Sequence, residues 1–190
     1  MNKHKIVMMA TLIAIGMFTA ISGQNITIAQ SNQTPTPSTQ NTLSDSDRQF
    51  VTEAAEGGLA EVELGQLASQ KAVKNEVKKF GQQMVQEHTQ ANNELKQLAA
   101  QKGVTLPTQL NEEHSKVKAD LSKLSGAAFD QAYMNQMVKD HVKTVSLFQG
   151  EAEQGQDRDL KAWATKTLPT LQEHSQTAHS LTGQSTGNTK

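Results

Sequence analysis

The sequence predicts an all-α fold: an up-down bundle of four long helices, with a short crossover helix between the second and third. Three observations predict it. Four separate stretches carry apolar residues at alternating spacings of four and three, the stripe of a helix that buries one face. Aromatic residues make up only 4% of the chain, so Leu, Val, Ala and Met must build the core. Those residues suit helix packing better than a sandwich of sheets. Between the second and third stretches lies a shorter, very polar segment that can recross the bundle.

Ser44, with Asp47 three positions on, starts the first helix in the manner of a capping box, and Asp45 and Asp47 suit its positive end. Its stripe is Phe50, Ala54, Gly57, Glu61, Leu64 and Ala68, with the carboxylate of Glu61 as the anomaly. The second helix runs from Val73 to Gln101 and stops at Gly103. Val77, Gly81, Met84, His88, Ala91, Leu95 and Leu98 form its stripe. Leu110 to Leu124 is the crossover helix, and Ser125-Gly126 ends it. The third long helix spans Ala127 to Gln154 on Met134, Val138, His141, Val145, Phe148 and Ala152. The fourth begins at Asp159, with Leu160, Ala164, Thr167, Leu171, His174, Ala178 and Leu181 facing inward. Pro169 lies within it and lacks the N–H that would bond the Thr165 carbonyl, so a kink is expected beside His174. A short turn inside each helix pair and one long crossover between pairs is the connectivity of a ferritin-like bundle. That bundle is expected over residues 44–182.

The termini read differently. Lys3 and Lys5 precede an apolar run from Ile6 to Ile21, the pattern of a secretory signal, slightly short for a bilayer span. A signal peptide over residues 1–29 is expected, with cleavage after Ala29 or, alternatively, after Gly23. Residues 30–43 are a polar linker rich in Ser, Asn, Gln, Thr and Pro, and residues 183–190 a polar tail. An exported protein follows: periplasmic, associated with the outer membrane, or extracellular. With 18 basic and 19 acidic residues, the chain has no basic field for nucleic acid, and no transmembrane span is expected in the mature part. Nothing selects a partner, although export leaves association with the cell envelope open. The absence of cysteine excludes disulfides, thiolate metal sites and a lipidated N-terminus.

The candidate chemistry lies on the stripes. Met84-Val85-Gln86-Glu87-His88 matches Met137-Val138-Lys139-Asp140-His141, and Leu171-Gln172-Glu173-His174 is a partial third copy. Each histidine is on a seam, and each acid one position earlier points roughly 100° away, toward the seam's edge or solvent. Glu113-His114 repeats the dipeptide on the polar crossover, where it reads as solvated. Counting about 1.5 Å per residue from the turns puts His88, His141 and His174 near mid-bundle. Glu56 has the better height for joining them, Glu61 the better face though roughly 10 Å off that level, and Glu53 flanks the stripe. Gly57 and Gly58 are expected to leave room opposite His88.

The stretch from Ser46 to Leu181 resembles the bacterial domain-of-unknown-function family 4142. The residues that carry the resemblance are Phe50, Glu61-Val62-Glu63-Leu64-Gly65, Met84-Val85 with His88, Phe129-Asp130, Tyr133-Met134, Met137-Val138 with Asp140-His141, and Leu168-Pro169 with His174. The resemblance implies an exported protein of the kind often labelled an outer-membrane protein, and a ferritin-like fold. It implies no activity.

Two functions fit these residues. One is a structural or envelope-stress-related binding module, in which the histidines form a buried polar cluster that sets helix register. The other is a periplasmic protein that binds copper, zinc or iron through His88, His141 and His174, with Glu53, Glu56 or Glu61 as a further ligand. Met84 and Met137 each precede a seam histidine by one turn, and a thioether there would favour copper. An enzyme is not expected. The di-iron pattern needs Glu-x-x-His, but Val85, Val138 and Leu171 occupy the acid's place. No Ser–His–Asp ordering or phosphate-binding loop is present either.

Overall fold

A computed structural model describes residues 43–186, with side chains to residue 183. The signal-peptide segment, nearly all of the linker and the last residues of the tail lie outside the described residues. Five helices follow one another: α1 (Asp45–Lys71), α2 (Asn75–Gln101), α3 (Glu112–Ser122), α4 (Gly126–Gln154) and α5 (Arg158–Thr186). The protein is an all-α bundle of four long helices, and α3 is the short crossover. Boundaries fall close to those expected from the apolar stripes. Two ends differ. Leu43, assigned to the linker, is buried in the core, and α5 runs through Pro169 and past Gly183 to Thr186.

α1 packs on α2 and α4 on α5 as two hairpins, and the hairpins meet through α1 with α4 and α2 with α5. α3 carries the chain back along the bundle, so every neighbouring pair of long helices is antiparallel. The crossover is tied to α1 by Asn111 donating to Glu56 at 2.9 Å, by Lys71 donating to the Ser122 carbonyl at 2.7 Å, and by the Lys118–Glu63 ion pair. Gly103 closes α2 with a φ of 68°, and Gly126 opens α4 with a φ of 60°, positions that favour glycine.

The two hairpins hold each other's turns. Asp130, in the first turns of α4, accepts the backbone N–H groups of Val73 and Lys74 at 3.1 and 2.8 Å. Those donors precede α2, where no helical carbonyl can satisfy them. At the other end Asp47 of α1 accepts from Gln156 and Asp157, just before α5, at 3.0 and 3.1 Å. The side chain of Asp157 then caps α5 through Asp159 and Leu160 and pairs with Lys102 at 2.8 Å. Ser44 caps α1 through the N–H of Asp47, as expected, while the Asp47 carboxylate serves the other hairpin.

Apolar packing divides along the axis. One cluster contains Phe50, Val51, Leu95, Phe148, Leu160, Trp163 and Leu171. The other contains Leu64, Val77, Phe80, Met84, Phe129, Tyr133, Met137 and Ala178. Between its two apolar segments each long helix buries one polar residue: Glu61, His88, His141 and His174. α1 and α2 approach most closely on the second side. A Cβ on Gly65 would lie 2.7 Å from the Gly81 carbonyl oxygen, and one on Gly81 would lie 2.8 Å from the Ala68 Cβ.

Asp130→Ala would strand the Val73 and Lys74 donors. We expect it to lower unfolding free energy by about 1–3 kcal/mol in urea denaturation, as for other lost hydrogen bonds to a charged acceptor. Unchanged stability would mean that the turn holds itself.

Candidate metal centre

His88 is on α2, His141 on α4 and His174 on α5, and all three are buried. Their stripe positions aim them at the same interior level. Ring centroids lie 5.7 Å apart for His88 and His141, 5.4 Å for His88 and His174, and 5.3 Å for His141 and His174. One ring nitrogen from each lies within 4.8 Å of the other two. Phe80 packs edge-on against both His141 and His174, at 6.3 and 6.4 Å between centroids.

Hydrogen bonds decide which nitrogens are free. His141 Nδ1 is 2.9 Å from the Met137 carbonyl oxygen. A carbonyl can only accept, so the proton is on Nδ1 and Nε2 keeps its lone pair. His174 Nε2 is 2.5 Å from Glu87 Oε2, so that nitrogen donates to the carboxylate and Nδ1 is left bare. In these three rings the buried nitrogens without a partner are His88 Nε2, His141 Nε2 and His174 Nδ1. A partner on the far nitrogen is the usual way in which a metal-binding imidazole is oriented.

The rings are held neutral. Burial pushes the His88 pKa well below its ordinary value, and the neighbouring His141 and His174 add to this. Burial, then His174, lowers His141 to about 4 against the pull of the Met137 carbonyl. Burial also lowers His174, although Glu87 opposes it. Neutral imidazole is the form that binds metal. Around a tetrahedral ion with bonds of about 2 Å, nitrogens stand roughly 3.3 Å apart. Small side-chain shifts therefore close a triad whose nitrogens already lie within 4.8 Å.

The carboxylates expected to join the histidines separate. Glu61 is buried, and its Oε1 lies 3.8 Å from His141 Nδ1. Counting from the first turn sets Glu61 roughly 10 Å off the level of the histidines, but that count does not contain the axial position of α4 against α1. Asp130 sets that position, and about 17 Å of helix then separates its contact with Val73 from both Glu61 and His141. Glu53 and Glu56 do not reach the triad. Glu53 accepts from Gln49 at 2.7 Å, and Glu56 is held by Asn111 of the crossover. Both line a separate cavity of about 200 Å³ with Glu61, Asp140 and His114. His114 is thus half-buried there with Nδ1 unpartnered, not solvated, because α3 folds back over α1. Burial and Asp140 raise the Glu61 pKa well above the carboxylate range. Gly58 makes room for Asn92 and not for His88: a Cβ there would overlap Asn92 Oδ1. Met84 and Met137 are fully buried in the second apolar cluster. Glu87 was not foreseen as a partner, since it serves a histidine on another helix.

The family described as Domain of unknown function (DUF4142) matches residues 32–181. The chain belongs to that family. The bundle also superposes on the crystal structure of a DUF305 fragment from Deinococcus radiodurans, with a TM-score of 0.66 and 12% identity. That match covers 75% of this chain and 99% of the fragment, and at this identity it shows a shared fold alone. Among curated proteins, none matches the chain. Among the described residues no helix is long and apolar enough to cross a membrane.

The triad makes the metal-free fold sensitive to acid. A histidine that titrates near 6.5 when unfolded and near 4 when folded contributes stability that is fully present above pH 6.5. That contribution is lost as pH falls through about 4. We expect His141→Phe to lose less stability than the parent chain between pH 7 and pH 4, measured by urea denaturation without metal. Parallel losses would show that His141 titrates normally.

Proposed function

We propose that this domain binds one divalent transition-metal ion through His88 Nε2, His141 Nε2 and His174 Nδ1. One observation carries this reading: three buried, neutral imidazoles converge with one ring nitrogen apiece within 4.8 Å of one another, and each ring has a nitrogen without a partner. A polar cluster that served structure alone would bond its rings to each other, because each unsatisfied buried group costs about 1–3 kcal/mol. Three nitrogen donors suit Zn²⁺ or Cu²⁺ and disfavour Mg²⁺ and Ca²⁺, which require oxygen. The role is binding, as for a protein that stores, buffers or hands on metal. Lys3, Lys5 and the apolar run behind them support export, so the metal would be met outside the cytoplasm. Cell fractionation tests the location: cytoplasmic protein with residues 1–29 intact would contradict it.

Saturating Zn²⁺ or Cu²⁺ is expected to stabilise the parent chain by about 2.7 kcal/mol at a hundred times the dissociation constant. Thermal melts should show no such gain in His88→Ala or His141→Ala. Glu87→Gln keeps the ring in place but accepts its proton less well, and is expected to weaken metal binding about 10–100-fold. Equal metal-induced stabilisation of the parent and both alanine variants rejects the site.

A further inference from the structure

We propose that a metal held by the three histidines keeps a fourth coordination position for a small ligand from solvent, water or a small anion, admitted through the cleft between α2 and α5. The proposal rests on the metal reading above.

Among the described residues no fourth His, Asp or Glu converges with His88, His141 and His174. Glu61 approaches His141 at Nδ1, the nitrogen engaged with the Met137 carbonyl, and not at the free Nε2. Glu87 is bound to the far nitrogen of His174. Four protein ligands make a closed structural zinc site, whereas three with one position left for solvent make a reactive one.

The route is visible in the packing. α2 and α5 pack more loosely than the other neighbouring pairs of long helices. Between them is a cavity of about 340 Å³ that reaches His88 and His174. Its walls include Glu87, Thr167, Thr170 and Lys166, and Lys166 is held by Glu94 at 3.0 Å. The wall is polar, with Glu87, Glu94 and Glu173 around the cation Lys166, which suits water or another small polar ligand better than an apolar molecule. An anion enters for its bond to the metal and not for the charge of the wall. The cavity around Glu61 lies on the other side, among α1, α3 and α4, and neither His88 nor His174 lines it. Binding of the anion is a ligand exchange: it displaces water from the metal, with no change of oxidation state.

Cobalt(II) substitution with azide as the probe tests this, because the visible bands of Co²⁺ report its coordination. In the parent chain azide should shift those bands saturably. Thr170→Trp, which fills the cleft, should keep the azide-free Co²⁺ spectrum and lose the azide response. Thr167→Trp, on the same wall, makes the same test where the first variant does not fold. Glu61→Gln should leave both the Co²⁺ bands and the azide shift in place. A spectrum that azide does not move overturns the proposal and points to a fourth protein ligand, a core thioether included. So does an azide shift that survives a filled cleft, or Co²⁺ bands altered by Glu61→Gln. Absence of any bound Co²⁺ strikes the metal reading itself, and this proposal with it.

Discussion

The axial register of the two hairpins depends on two carboxylates. Asp130 reaches from α4 to the turn of the first hairpin, and Asp47 from α1 to the turn of the second. Helix pairs packed through alternating apolar stripes can slide by a turn, about 5.4 Å, and still bury similar area. A pair of N–H groups that lacks an acceptor inside its own helix cannot slide without losing its partner. The two contacts sit at opposite ends of the bundle, so together they fix both height and tilt. Three residues from three helices can meet at one level only under such a constraint.

What meets at that level is a polar layer between two apolar clusters. Glu61, His88, His141 and His174 each interrupt the stripe of their helix, and the interruptions coincide. The layer leaves three ring nitrogens buried and unpartnered, a cost that the flanking aromatic and aliphatic packing must offset. Close backbone approach at Gly65 and Gly81 tightens the first hairpin beside it. Glu87 and the Met137 carbonyl take the outward protons of two rings, so the lone pairs turn inward. The same bonds that orient the rings therefore leave them free to bind.

The bundle and the DUF305 fragment share a fold at low identity, which is what helix packing allows when spacing and volume are kept. Chemistry is decided more locally. A one-turn shift of α4 would bury a different residue opposite His88 and leave the bundle intact. Function in such a fold rests on the register contacts as much as on the ligands.

The sequence by itself determined the helices, their inward faces and the presence of a histidine on three of the four seams. Those are local properties: a spacing of three and four residues states which side of a helix is apolar, whatever it packs against. Tertiary structure decided which groups meet. The role of Asp130 depends on how far α3 carries the chain back, and that length is set by packing. Glu61 reaches His141 for the same reason, while Glu56 is taken up by Asn111. Glu87 looked solvent-facing because only its own helix could be counted, and its partner is 87 positions away in the chain. Which nitrogen of each ring is free depends on bonds to a carbonyl and to a carboxylate across the bundle, and no spacing rule contains them.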